Sequence, residues 1–439
     1  GALNRGCCSR ANQNGPAEYG FRGNARNLDL NRDFIKMDSQ NARAFAQIFQ
    51  AVKPHMFLDT HTSNGADYQY VMTMITTQPD KASESMGGYI RKTINPELFK
   101  IMDERGWGMT PYVNTMGRTP DDGIMDFLET PRYSTGYAAL YNTIGFTSET
   151  HMFKPFADRV ESTYQFEMSL FQLMNERSKE IISQREKANE AVRKQKKFAL
   201  QWELDTTKWK DINFKGFEAE FSTSDVTSQE RLHYNREKPW ERKIRHYDAF
   251  KTTLEVEAPD YYVIPQAWME VIGLLSLNGV KLEIIKADTT MLVEAYHIAD
   301  YKTVDSPYEG HYLHSKVEVE KVKEEIRFYR GDMLVPVNQV TNRFIVETLE
   351  PQGVDSYFAW NYFDAVLQQK EWFSDYVFED QAAEMLSGNA ELKRQFEEKK
   401  ASEPEFAANH WWMLYWLYQR SEHFENSFNR YPVYRLSGK

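Results

Sequence analysis

The sequence predicts an α/β domain followed by a strand-rich α+β domain and a helical C-terminal region, and three observations carry that reading. Ala42, Phe45, Ala46 and Phe49 repeat at helical spacing and give way to Met56-Phe57-Leu58, an apolar run too short for a helix and suited to a buried strand. Between residues 200 and 350, short apolar segments alternate with turn residues such as Gly331-Asp332. From residue 355 onward Trp360, Phe363, Val366 and Leu367, and later Trp411, Trp412, Tyr415, Trp416 and Tyr418, return at helical intervals.

Residues 1–34 are rich in Gly, Asn and Arg and read as loop, with Asn14-Gly15-Pro16 as a turn before Asp29-Leu30-Asn31-Arg32-Asp33-Phe34. Asp38 and Ser39 are N-cap candidates for the first helix, which Pro54 closes. The strand that follows brings Asp59 and His61 to its carboxyl end, where open α/β sheets place their ligand crevices. Residues 66–131 carry a weaker pattern, and Asp121 and Asp122 in the Gly117 to Gly123 loop read as turn residues, with no His at ligand spacing. A second apolar approach, Ile144-Gly145-Phe146-Thr147-Ser148-Glu149, ends in a carboxylate.

From about Asp158 to Gln195 the pattern is helical, amphipathic through Tyr164, Met168, Phe171 and Met174 and then nearly all charged, which sets a domain boundary near residue 195. The predicted domains are residues 1–195, 196–350 and 351–439. The middle one contains Tyr261 to Ile264 as a strand, Gln266 to Leu277 as a helix capped at Asn278-Gly279, and Leu282 to Ile285 as a strand. Alternating segments follow at Met291 to Ala299, Lys316 to Val322 and Glu325 to Tyr329. The run Glu309-Gly310-His311-Tyr312-Leu313-His314 reads as a polar loop, because two His and a Glu in one short loop have no fourth ligand.

Bulk properties narrow the function. A net charge of −11 with no basic cluster beyond one helix argues against a nucleic-acid partner. No apolar run approaches the ~20 residues that span a bilayer, so a soluble chain without a membrane partner is expected. Cys7 and Cys8 are adjacent, and neighbours rarely reach disulfide geometry, so no disulfide framework is expected and cytoplasm and periplasm fit equally. Oligomeric state is not legible.

The segments Asp29-Leu30-Asn31-Arg32, Asp59-Thr60-His61 and Thr147-Ser148-Glu149, in that order, resemble the zinc carboxypeptidase family of the carboxypeptidase A type. The resemblance implies a mixed sheet with helices on both faces, a partial zinc-carboxypeptidase fold, over about residues 1–160. It implies that Asn31 and Arg32 bind the terminal carboxylate of a peptide substrate, that His61 is one of three ligands to a single zinc ion, and that Glu149 is the general base. It further implies an oxyanion-stabilising arginine, for which Arg10 sits best and Arg22 or Arg26 could serve, and a substrate-binding tyrosine, Tyr133 or Tyr137. Asp29 would orient an upstream His ligand, and a periplasmic or secreted location is implied as well. The stretch Asp355 to Asp364 is similar to the tail of large bacterial members.

One part of the family pattern is absent. None of the ten histidines has Glu three residues later, the His-x-x-Glu pair that supplies the other two zinc ligands; His297 to Asp300 is the nearest. Gly1-Ala2-Leu3-Asn4 is similar to the tail of the family's Asn-x-Asp-Gly turn, so the two ligands are expected upstream of residue 1. The expected activity is therefore zinc-dependent removal of C-terminal residues from peptides, silent in this chain. The rival is a non-catalytic peptide-binding protein that keeps the carboxylate site and has lost zinc.

Overall fold

The computed structural model describes residues 11–15 and 21–438, and the architecture below is that of those residues. Helix α1 (Gln40–Val52) begins where the Ser39 side chain accepts the Ala42 amide and ends where Lys53 turns left-handed at φ 50°. It buries Ala42, Ala46 and Phe49, three of the four positions in the helical repeat. Strand β1 (Met56–Thr62) follows directly.

β1 lies at the edge of a four-stranded sheet, next to β6 (Ile144–Thr150), then β2 (Met72–Thr76) and β3 (Met109–Pro111). β1 pairs parallel to β6, β6 antiparallel to β2, and β2 parallel to β3. The sheet is thus mixed. Alternation along β1 sends Phe57 to one face, against Phe45 and Phe49 of α1. Met56 and Leu58 face the other side and pack on a cluster that contains Leu98 and Met102 of α3 (Asn95–Glu104) and Phe166, Leu170 and Leu173 of α5 (Phe156–Lys194). Helix α2 (Glu84–Tyr89) adds Met86 and Tyr89 to that cluster, and α4 (Ser134–Ala139) adds Tyr137 to the first. Helices on both faces of a mixed sheet are what the sequence predicts.

The 39-residue α5 leads to β7 (Lys197–Leu204), which pairs with β10 (Phe250–Glu257). Between them a long hairpin, β8 (Lys210–Thr223) and β9 (Glu230–Tyr247), reaches back to the first segment. There β9 pairs with β5 (Ile124–Met125), which pairs in turn with β4 (Asn114–Thr115). A six-stranded antiparallel sheet follows in the order β12-β15-β11-β16-β13-β14. Its members are β11 (Tyr261–Ile264), β12 (Glu283–Ile284), β13 (Thr289–Thr303), β14 (His314–Phe328), β15 (Met333–Pro336) and β16 (Tyr434–Leu436). The expected segments Lys316 to Val322 and Glu325 to Tyr329 are one strand, β14. α6 (Met269–Leu277) connects β11 to β12 as predicted, yet both strands flank β15, so the two do not pair with each other.

α7 (Asn342–Leu349) is followed by a compact run of turns that ends in a short 3-10 helix, Asp364–Leu367, in place of the longer helix that Trp360, Phe363, Val366 and Leu367 suggest. Gly353 is one cause: a Cβ there would lie 2.5 Å from the Glu347 carbonyl, so the chain folds back on α7. Tyr357, Phe358, Trp360 and Phe363 are buried in the main core all the same, together with Ile35, Tyr137, Val192, Tyr262 and Phe344. Aromatic burial at mixed spacing imitated a helical stripe. The C-terminal region is helical from α8 (Asp375–Gly388) through α9 (Ala390–Ser402), α10 (Pro404–Ala407) and α11 (His410–Tyr418), around its own cluster of Phe378, Phe396, Phe406 and Leu417.

Candidate active site

β1 and β6 run side by side in the same direction, so their carboxyl ends open on the same crevice. The register sets His61 opposite Glu149. Asp59 lies two residues before His61, on the same face of β1, and its Oδ2 is 2.8 Å from His61 Nε2. His61 Nδ1 is then turned toward Glu149, 3.7 Å from its Oε1. The Thr62 and Thr150 hydroxyls meet at 3.2 Å across the next rung.

Electrostatics single out two carboxyls. Burial pushes Glu149 up to about 7, opposed by the nearby charges of His61 and Arg22 and reinforced by Asp59, and its Oε2 is buried without a hydrogen-bond partner. Burial also pushes Glu129 up to about 7. Glu129 comes from the loop before α4, where its Oε2 accepts the Thr135 amide at 2.9 Å. For His61 burial opposes the imidazolium, but the bond and charge of Asp59, with Glu149 and Glu129 beyond, hold its pKa above the ordinary value. Burial acts on Asp59 too, yet its bond to His61 and the charge of that imidazole keep its carboxyl below the usual range.

The Asp29 to Arg32 segment forms a tight turn, Leu30–Arg32, capped where Asp29 Oδ1 accepts the Asn31 amide at 3.0 Å. It presents Asn31 and Arg32 to a cavity of about 540 Å³ whose lining includes His61, Glu149, Glu129, Tyr112, Phe127 and Tyr133. The Arg32 guanidinium lies 4.6 Å over the Tyr133 ring and is 4.0 Å from Asp29. Asn31 Oδ1 is buried with no partner. The structure therefore brings Asn31, Arg32, His61, Tyr133 and Glu149 to one cleft.

Tyr137 is not there. It is fully buried, and its hydroxyl donates to Asn278 Oδ1 at 2.7 Å in the core behind α4, because a helix that carries Tyr133 at its N-cap turns residue 137 inward. Arg10, Cys7 and Cys8 lie outside the described residues. Of the other arginines considered, Arg22 lines the cleft in an ion pair with Asp29 at 2.8 Å, whereas Arg26 donates to the Asp38 carbonyl. Asp121 and Asp122 are turn groups, one paired with Arg242 and the other accepting the Arg118 and Thr119 amides.

Behind the cleft Arg132 is held by Asp355 through its amide at 2.9 Å and its Nε at 2.8 Å, and stacks 5.0 Å from Trp360. The turn-rich run after α7 thus braces the loop that carries Glu129 and Tyr133. Sequence reasoning missed Glu129, Tyr112 and Phe127 as cleft residues, and no spacing marks them.

The donors around His61 meet part of what zinc needs. A ligating His ordinarily gives its second nitrogen to a carboxylate, as His61 does to Asp59, leaving Nδ1 directed into the cleft. Catalytic zinc takes three protein ligands, however, and His61 is one. Among the described residues no group of three or more His, Cys, Asp or Glu side chains is arranged to hold a metal. His311 and His314 are bound elsewhere, to Asp38 at 2.8 Å and Asp364 at 3.0 Å.

Sequence comparison adds a direction. Carboxypeptidase 2 of Trichophyton rubrum is 21% identical over 356 residues, which cover 76% of this chain and 62% of that protein. Carboxypeptidase 2 of Trichophyton equinum matches to the same extent. The relatives bear carboxypeptidase names. Carboxypeptidase 2 of Trichophyton tonsurans reaches 30% identity over 114 residues, 25% of this chain and 21% of that protein. The chain spans 62% of the length of the relatives it matches most widely. These relatives are fungal, so the comparison gives no support to the bacterial kinship expected from Asp355 to Asp364. No family model and no solved structure matches.

Proposed function

We propose that this chain supplies the carboxylate grip and the general base of a zinc metallocarboxypeptidase that removes C-terminal residues from peptides. The observation that carries the reading is the cleft itself, in which a guanidinium, a buried general-base candidate and a carboxylate-oriented His converge on a space fit for the end of a peptide. The distant carboxypeptidase-named relatives support it.

Arg32 and Asn31 hold the terminal carboxylate, with the guanidinium giving two parallel N–H donors that a lysine cannot imitate. Tyr133 keeps Arg32 in place through its ring face. His61 would be one ligand to zinc, and two further ligands would have to be supplied from outside the described residues. Bound zinc would supply an activated water and polarise the scissile carbonyl. Glu149, its carboxyl pushed up to about 7 by burial, is placed to hold and move a proton at the cleft as the general base. Arg22 is the cleft arginine for the developing oxyanion, and Arg10 is the alternative from the family position.

A second reading, a peptide-binding protein without zinc, is favoured by the single ligand among the described residues. Both share the grip, which Arg32→Ala tests. Binding of peptides with a free C-terminal carboxylate should weaken by about 100-fold, the loss of a shielded, charge-assisted bidentate contact, while the matched C-terminal amides barely change. Equal weakening of acid and amide would demote Arg32 to a structural role and sink both readings.

A further inference from the structure

We propose that Glu129 selects the side chain of the terminal substrate residue, and that the cleft takes a residue with an amino or guanidino group at the end of an aliphatic stem. The inference rests on the carboxylate-grip reading, since Arg32 and Glu129 line one cavity and the anchored carboxylate would leave the adjoining side chain to meet Glu129.

Glu129 is 6% exposed and, among the described residues, forms no ion pair. One carboxyl oxygen is engaged by the Thr135 amide. The nearby Lys81 does not fill the gap: its buried ammonium is turned to the Glu129 main-chain carbonyl at 3.3 Å and lies 4.6 Å over the Trp202 ring. Ile75, Tyr112 and Phe127 give the same cavity an apolar wall, with the Tyr112 and Phe127 rings 6.4 Å apart edge to face.

An apolar wall with a buried, unpaired carboxyl on it matches a methylene stem that ends in a cation. An ammonium entering there gives Glu129 the partner that the fold withholds. A purely aliphatic side chain would cover the carboxyl without pairing it, and a desolvated polar group left unpaired is costly. A terminal Asp or Glu would add like charge to a cleft that already holds Asp59, Glu129 and Glu149. Glu149 is committed differently, facing His61 at 3.7 Å, so the two carboxyls have separate tasks. Burial holds Glu129 near neutrality without ligand, and a bound cation would draw it to the ionised form.

The test uses two dye-labelled free-acid peptides of the same composition, one ending in norleucine-lysine and the other in lysine-norleucine, so that net charge cancels. Each is titrated into the full chain by fluorescence anisotropy. The lysine-terminated peptide should bind at least about ten-fold tighter. Glu129→Gln, which keeps an oxygen acceptor for the Thr135 amide, should bring that ratio close to one. Equal affinities in the wild-type chain, a measurement that needs no variant, overturn the proposal, as does a ratio that Glu129→Gln leaves intact. The C-terminal amides of both peptides judge the other reading by itself: amides that bind as tightly as the acids defeat the carboxylate grip, while the lysine preference still decides the role of Glu129. No binding by either free acid overturns both.

Discussion

At the scale of single residues the site is set by burial acting on carboxyls, and this has a pH signature. Glu129 and Glu149 stand near 7 in the folded chain, against ordinary values near 4.5 in the unfolded one. Between those pH values the folded state holds more protons than the unfolded, so stability falls as pH rises through the window. His61, raised in the fold, acts in the same sense, its stabilisation being lost as pH rises through its folded value. Asp59 is lowered, so its contribution is lost only at acid pH. Each raised carboxyl costs up to about 3 kcal/mol at neutral pH. Thermal melts without added metal should therefore show a lower Tm at pH 7.5 than at pH 5, and Glu129→Gln should narrow the gap; a gap of wild-type size would mean that Glu129 ionises freely. Much of this residue-level picture was legible beforehand. Asn31, Arg32, His61 and Glu149 stand in short motifs, and β-strand spacing alone puts Asp59 beside His61. Glu129 was invisible because a lone acid before Thr-Pro has no signature until the sheet brings it to the cleft, and Tyr137 misled because its spacing from Glu149 says nothing about which side of α4 it takes.

At the scale of elements the loop before α4 is the tightest piece of construction near the cleft. Gly136 has no room for a side chain, since a Cβ there would lie 2.0 Å from the Thr130 carbonyl oxygen and 2.9 Å from that of Glu129, both backbone atoms. Gly136→Ala should push the loop off α4 and destabilise the protein by about 2–4 kcal/mol. Gly273 in α6 is the contrast, with open space around it, and Gly273→Ala should stabilise by about 0.5–1 kcal/mol. Urea melts of the two variants would check the opposite signs, and a neutral Gly136→Ala would show that the loop adapts. The first helix and the first half of α5 were readable from their helical period, and β1 and β6 from short apolar runs, the latter buried at every position. Residues 66–131 were not, since β3, β4 and β5 are two or three residues long and too short for any period to register. The partner of β5 is β9, more than a hundred residues on, and local sequence cannot announce such a pairing.

At the scale of the whole molecule, the three stretches distinguished in the sequence share contacts that composition did not reveal. The core that holds Tyr137 also holds Val192, Tyr262, Phe344 and Trp360, and Asp355 grips Arg132 beside the cleft. No helix among the described residues is long and apolar enough to cross a membrane. With one His ligand at the site, the 439-residue chain should retain well under one equivalent of zinc after dialysis against a mild chelator, as atomic emission would measure. A stoichiometric ion would locate further ligands within the chain and favour the enzyme over the binder. The pairing of β1 with β6 has a consequence for how such a protein diverges. Neighbouring strands stand about 4.8 Å apart whatever their side chains, because main-chain hydrogen bonds set that interval. His61 and Glu149 occupy facing rungs, so the gap between them belongs to the ladder and not to residues 63–143 that join the two strands. That long connection is free to drift, lengthen or be rewritten while the pair stays in step, because the interval is fixed by the backbone of two strands and not by the letters between them.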